Sequence, residues 1–138
     1  MKTLALDSFD QWLAKYGQAS QQNDAQASAE LFAQDARYYE SPFEEPLIGR
    51  EAIYRYWRQG AETLTDKTSA HEIWAVRDNL GIARWQAQFV DNRSHQRSAL
   101  DCVFVVEFDG DGLGSVFREW WHMQVPDPGW CEPSRKRT

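Results

Sequence analysis

The chain has 138 residues, with 15 basic and 21 acidic side chains and a net charge of −6. That length fits one domain with one sizeable core. The acidic balance argues against nucleic acid and anionic membranes as partners, because phosphate binding needs a basic surface. No run approaches the ~18 apolar residues of a membrane span, and MKTLALDSFD lacks the apolar stretch of a signal peptide. The cytoplasm is the expected compartment. Cys102, in an apolar run, reads as a small buried hydrophobe, and Cys131 falls in a Pro/Gly-rich tail, so no disulfide framework is expected. Seven Trp, five Tyr and seven Phe exceed what one core of this size needs. A dimer face or a ligand cavity would use the surplus.

In chain order, Ser8 with Gln11 three residues on predicts a capped helix over about 8–21, carrying Phe9, Trp12, Leu13 and Tyr16 at helical spacing. Asn23 or Asp24 caps a second helix through Ala27, Leu31 and Phe32, ending near Gln34. A strand follows over Ala36–Glu40, then a loop over Ser41–Ile48 with Pro42 and Pro46. Gly49 opens a third helix, about 49–64, with Ile53, Tyr54 and Trp57. From residue 68 the period changes to two. Strands are expected from about 68 to Arg77, over Ile82–Val90, over Leu100–Phe108 and over Val116–Val125, with turns at Asp78–Gly81 and Asp109–Gly112 and a polar loop at Asp91–Gln96. From Pro126 the chain reads as a mobile tail. Helices followed by a meander give an α+β domain, in which three helices pack in a strongly curved mixed or antiparallel sheet, a half-open cone. The run Cys102–Val106 is apolar on both faces, so the outer face of the sheet is expected to be covered by a second copy in a homodimer.

Tyr16 stands late in helix one, ESPF lies ahead of a G-R-E-x-I helix start, and a final FREWW strand follows D-G-x-G. In these features residues 8–124 resemble the SnoaL-like branch of the nuclear transport factor two-like, or cystatin-like cone, superfamily. That superfamily includes ketosteroid isomerases, polyketide cyclases, epoxide hydrolases, dehydratases and non-catalytic carriers. Set against the isomerase pattern, Tyr16 matches the hydrogen-bonding tyrosine, and Glu40 or Ser41 the proton-shuttling carboxylate. Phe104 stands at the central-strand aspartate, Trp57 and Phe32 at two supporting tyrosines, and Trp121 at the pocket tryptophan. Phe104 cannot donate a hydrogen bond, and losing one such donor typically costs about 10²–10³ in rate. The resemblance therefore implies the pocket wall but not steroid isomerisation.

Glu40, at the rim of an aromatic cavity, is the candidate general base. The alternative is a solvent-facing glutamate or one paired with Arg50 or Arg37. Tyr16 is the candidate hydrogen-bond donor, or else a core tyrosine with a satisfied hydroxyl. Trp57, Trp85, Phe89, Phe104 and Trp121 form the expected ligand-binding wall, suited to a planar or polycyclic apolar molecule. On the last strand Phe117, Glu119, Trp121 and Met123 share one face, and Val116, Arg118, Trp120 and His122 the other. The resemblance points the first set inward. Glu119 is then a second buried carboxylate lining the ligand pocket: a proton acceptor, a ligand anchor or, as the simplest case, half of an ion pair with an arginine. In the reverse register Trp120 and His122 enter the cavity. Asp101 is read as the rim partner of Arg84 or Arg97. His71, His95 and His122 lack metal-ligand spacing, so no metal is expected. Proton transfer by side chains requires no cofactor.

Two functions remain open at this point. One is a small-molecule binding domain; the other is a cofactor-independent enzyme (isomerase, cyclase or hydrolase) that uses Glu40.

Overall fold

The computed structural model describes residues 3–125. The first helix, α1, spans Leu6–Gln21 and buries Phe9, Trp12, Leu13 and Tyr16 along one stripe. It begins two residues ahead of the expected range of about 8–21, with its cap position three residues ahead of Ser8. Ala5 occupies the cap position and no side chain caps it, so the buried stripe rather than a cap fixes this helix. Helix α2 is a single short turn, Ala25–Ala29, with the Asp24 carboxylate accepting from the Ala27 amide at 3.0 Å. Leu31 and Phe32 lie beyond it. Phe32 instead starts strand β1, Phe32–Tyr39, which is longer than the sequence suggests. The polar pair Gln34-Asp35 had masked its first half, because that pair breaks the apolar pattern of the strand.

The segment read as a loop over 41–48 ends in a short strand, β2 (Leu47–Ile48), paired antiparallel with β1. Gly49 then caps helix α3, Arg50–Thr63, at φ 94°, a conformation that strains any residue with a Cβ. Its amide donates to the Ala36 carbonyl at 2.8 Å, so the start of α3 is fixed against β1. Strand β3 spans Leu64–Arg77 and begins four residues ahead of the expected position. Strands β4 (Leu80–Asp91), β5 (Arg97–Phe108) and β6 (Gly114–Gln124) complete a meander.

The sheet order is β2-β1-β6-β5-β4-β3. All neighbours are antiparallel except β1 and β6, which run parallel. The sheet is therefore mixed and unclosed, and the helices fill its concave side. Bulges interrupt β3 at Thr65/Thr68 and Ile73/Ala75, and such irregularities bend a strand and increase its twist. Cys102, Phe104, Val106 and Phe108 alternate inward from the middle strand β5 and are buried. Gly81 faces Phe9, whose ring leaves no space for a Cβ.

Cys102 is the buried thiol expected from the sequence. Cys131 and the tail predicted from residue 126 lie outside the described residues. No described helix is long and apolar enough to cross a membrane.

Candidate functional site

A hollow of about 460 Å³ opens between α1, α3 and the concave face of the sheet. Tyr16, Glu40, Trp57, Trp85, Phe89, Glu119 and Trp121 all line it, so seven of the eight expected site residues share one cavity. Phe104 does not. It is fully buried, stacked on Trp85 with ring centroids 5.3 Å apart, and supports the wall from behind. Its position in the middle strand, between β4 and β6, explains this: there the α1 side chains, Tyr16 among them, pack directly on the sheet.

Period-two alternation along β6 turns Glu119, Trp121 and Met123 into the cavity, and leaves Trp120 and His122 on the opposite, exposed face. Trp121 donates from Nε1 to the backbone carbonyl of Glu40 at 3.1 Å. This bond ties the end of β1 to β6 and holds the Glu40 backbone at the rim. Arg50, the alternative partner for Glu40, is committed elsewhere: its Nε and Nη2 donate to the Phe32 carbonyl at 2.9 and 2.7 Å. Asp101 pairs with Arg84 on the outer face, at 3.0 and 2.5 Å.

Glu119 departs from its expected pairing. It is 9 % exposed, and no arginine or lysine pairs with it among the described residues. Desolvation first, and then the nearby Glu40 carboxylate, push its pKa from 4.5 to about 8. At neutral pH the carboxyl is mostly protonated and can donate.

Two tyrosines that the sequence reading passed over complete this polar region. The Tyr16 and Tyr38 hydroxyls lie 3.2 Å apart. Burial, with Glu119 as the main charge acting on Tyr16, raises both tyrosines well above the usual value, so they remain neutral donors. Tyr56, on α3 with its ring 5.6 Å from that of Tyr38, is raised by burial and then by the Glu40 carboxylate. A signal for both was present in the sequence. Ala36, Tyr38 and Glu40 share a strand face by period two, and Ile53, Tyr56, Trp57 and Gly60 share a helical face.

Aromatic rings build the walls. Tyr16 meets Trp57 and Trp85 edge-on at 5.3 and 5.4 Å and stacks on Phe117 at 5.8 Å. Further polar groups line it: Ser20, Gln59 and Thr63 from the helices, and Lys67, Gln88 and Arg93 on the β3–β4 side. Among the described residues no cluster of three or more His, Cys, Asp or Glu could hold a metal ion.

A helix-filled, unclosed mixed sheet around an acid- and tyrosine-lined hollow has known relatives. The SnoaL-like domain model matches residues 13–115. The chain belongs to this SnoaL-like family. A similar solved structure is that of SalBIII, described as an epoxide hydrolase/cyclase-like enzyme with a role in pyran ring formation in the polyether salinomycin. The two chains are 17% identical with a TM-score of 0.75, over 86% of this chain and 96% of SalBIII. At that identity the likeness establishes the nuclear transport factor two-like cone for this SnoaL-like chain.

Proposed function

We propose that the cone binds a small, mostly apolar molecule and exchanges protons with it without a cofactor, as an isomerase, cyclase or hydrolase would. The observation that carries this reading is the buried Glu119 carboxyl, which shares one cavity with Glu40 and has no paired cation among the described residues. Two carboxyl groups whose environments differ can divide acid and base roles. Glu119 supplies a proton to an oxygen on which charge develops. Glu40 takes one from a C–H bond or from the attacking hydroxyl. The proton count balances, and solvent at the rim restores both groups. One hydroxyl of the Tyr16–Tyr38 pair donates to the other, which is left, with Tyr56, to donate to oxygen atoms of the bound molecule. The SalBIII likeness supports the fold on which such chemistry would run, and nothing narrower.

A second reading, a binding domain without turnover, rests on Phe104. It places an apolar ring at the strand position where the isomerase pattern has an acid.

One experiment separates the two readings. Planar aromatic and polyketide-like compounds are titrated into the protein with tryptophan fluorescence as the readout. Every compound that binds is then incubated in isotopically labelled water, and label uptake or product is read by mass spectrometry. The enzyme reading expects turnover in the native chain that falls by about 10²-fold or more in Glu40→Gln and Glu119→Gln while binding persists. Binding without any turnover favours the second reading.

The homodimer belongs to this proposal as well. Trp120 and Val103 stand in one outward cross-strand row with Arg84 and Glu72, and the exposed Trp74 donates to Glu72 at 2.6 Å. A second copy would cover this mixed apolar and ion-paired face. A monomer in light scattering at micromolar concentration would refute it.

A further inference from the structure

The cavity is charged unevenly. Its carboxyl groups stand on the β1 and β6 side, while the β3–β4 side presents Lys67 from the start of β3 and Arg93 from the β4–β5 loop. In the sheet, β5 and β4 separate Glu119 from Lys67. Lys67 is half-buried, with its ammonium 5.9 Å from the centre of the Trp57 ring. No carboxylate pairs with it among the described residues, and the adjacent Asp66 turns instead to Arg97 at 3.0 Å. Burial lowers the pKa of this lysine. An ammonium that gives up water without a counter-ion is costly unless a ligand supplies one. The same wall holds two buried indole N–H groups, Trp57 Nε1 and Trp85 Nε1, that have no hydrogen-bond partner among the described residues.

The geometry points to a carboxylate-bearing ligand, which lies with its anionic end against Lys67 and its apolar body between the rings of Trp57 and Trp85. This inference rests on the pocket reading above and adds polarity to it. The carboxylate satisfies the ammonium. The far end of the molecule is thereby directed toward Glu40 and Glu119, which an anion would avoid. A ligand anchored at one end and reacting at the other also explains why Lys67 stands apart from the acids rather than neutralising them.

The test uses matched pairs that differ only in charge: 2-naphthylacetate with 2-naphthylacetamide, and 4-biphenylacetate with its amide, titrated at pH 7.5. Each acid is expected to bind about tenfold more tightly than its amide. In Lys67→Met that preference should fall below about twofold, and in Lys67→Arg it should persist. Near-UV circular dichroism checks that both variants keep the aromatic packing. Amides that bind as well as the acids overturn this inference and leave the pocket reading standing. A preference that survives Lys67→Met overturns the assignment to Lys67. If no member of either pair binds, the pocket reading fails and takes this inference with it.

Discussion

Replacing Glu119 with glutamine should make the protein more stable at alkaline pH than the native chain. The native carboxyl has a folded-state pKa of about 8 against an ordinary 4.5. Between those two values the folded state holds a proton that the unfolded state has released, so stability falls as pH rises through the window. Below about pH 4.5 both states are protonated, and the group contributes no pH dependence. Above about pH 8 the folded chain carries a buried anion beside Glu40, and the loss is complete. At about 1.4 kcal/mol per pH unit, the gap sets an upper bound of about 5 kcal/mol. Water in the hollow and relaxation of Glu40 reduce this, and about 2–4 kcal/mol is expected. Glutamine has nearly the same shape and never ionises. Urea unfolding of both chains at pH 5 and pH 9 measures the difference, and all other titrating groups cancel to first order. The native chain should lose about 2–4 kcal/mol more than Glu119→Gln across that interval, a fall in Tm on the order of 10 °C. Parallel stability curves for the two proteins from pH 5 to 9 would refute the burial argument, and with it the role of Glu119 as a proton donor.

Glu40→Gln removes the second cause of the Glu119 shift while leaving desolvation in place. Carbon-detected NMR of labelled glutamate should show the Glu119 titration moving down, yet remaining above 4.5. Tyr16→Phe and Tyr38→Phe each strand one hydroxyl of a buried pair and should cost about 1–2 kcal/mol. The double variant should cost less than the sum in a denaturant-based double-mutant cycle, and strict additivity would mean that the 3.2 Å contact carries no energy. Gly81→Ala drives a methyl to 2.5 Å from the fully buried Phe9 ring. It should destabilise by about 1–3 kcal/mol in thermal melts, and a neutral result would mean that α1 can retreat from β4.

How far the sequence revealed this molecule depended on whether a position was governed by local or by non-local physics. The four long strands were legible because alternation is local, and β6 needed only its period to turn Glu119 and Trp121 inward together. Helix α3 was legible because Gly49 marks its start with a conformation few other residues adopt. Helix α2 was over-extended because Leu31 and Phe32 continue an apolar pattern that suits helix and strand equally. The parallel pairing of Phe32–Tyr39 with β6, which decides the matter, spans some eighty residues. The short β2 strand was hidden for the same reason: two residues become a strand only when a partner lies beside them.

The site shows the same division, and its chemistry follows from it. Side-chain direction could be read from period, so the cavity-lining residues gathered as expected, apart from Phe104, where contact with α1 leaves no room for a guest. Ionisation state could not be read, because it depends on what is missing around a group. A glutamate on a buried strand face invites an arginine. Here Arg50, the cation the sequence offered to the neighbouring Glu40, spends its guanidinium on the Phe32 carbonyl, and no arginine or lysine pairs with Glu119 among the described residues. A cation placed beside the acids should lessen the alkaline instability: Tyr56→Lys, opposite Glu40, should make the pH profile between 5 and 9 shallower than in the native chain and lower the Glu119 pKa. If the profile keeps its slope while the lysine is shown by NMR to be charged, Glu119 is governed by desolvation alone, and its coupling to Glu40 plays no part in the site.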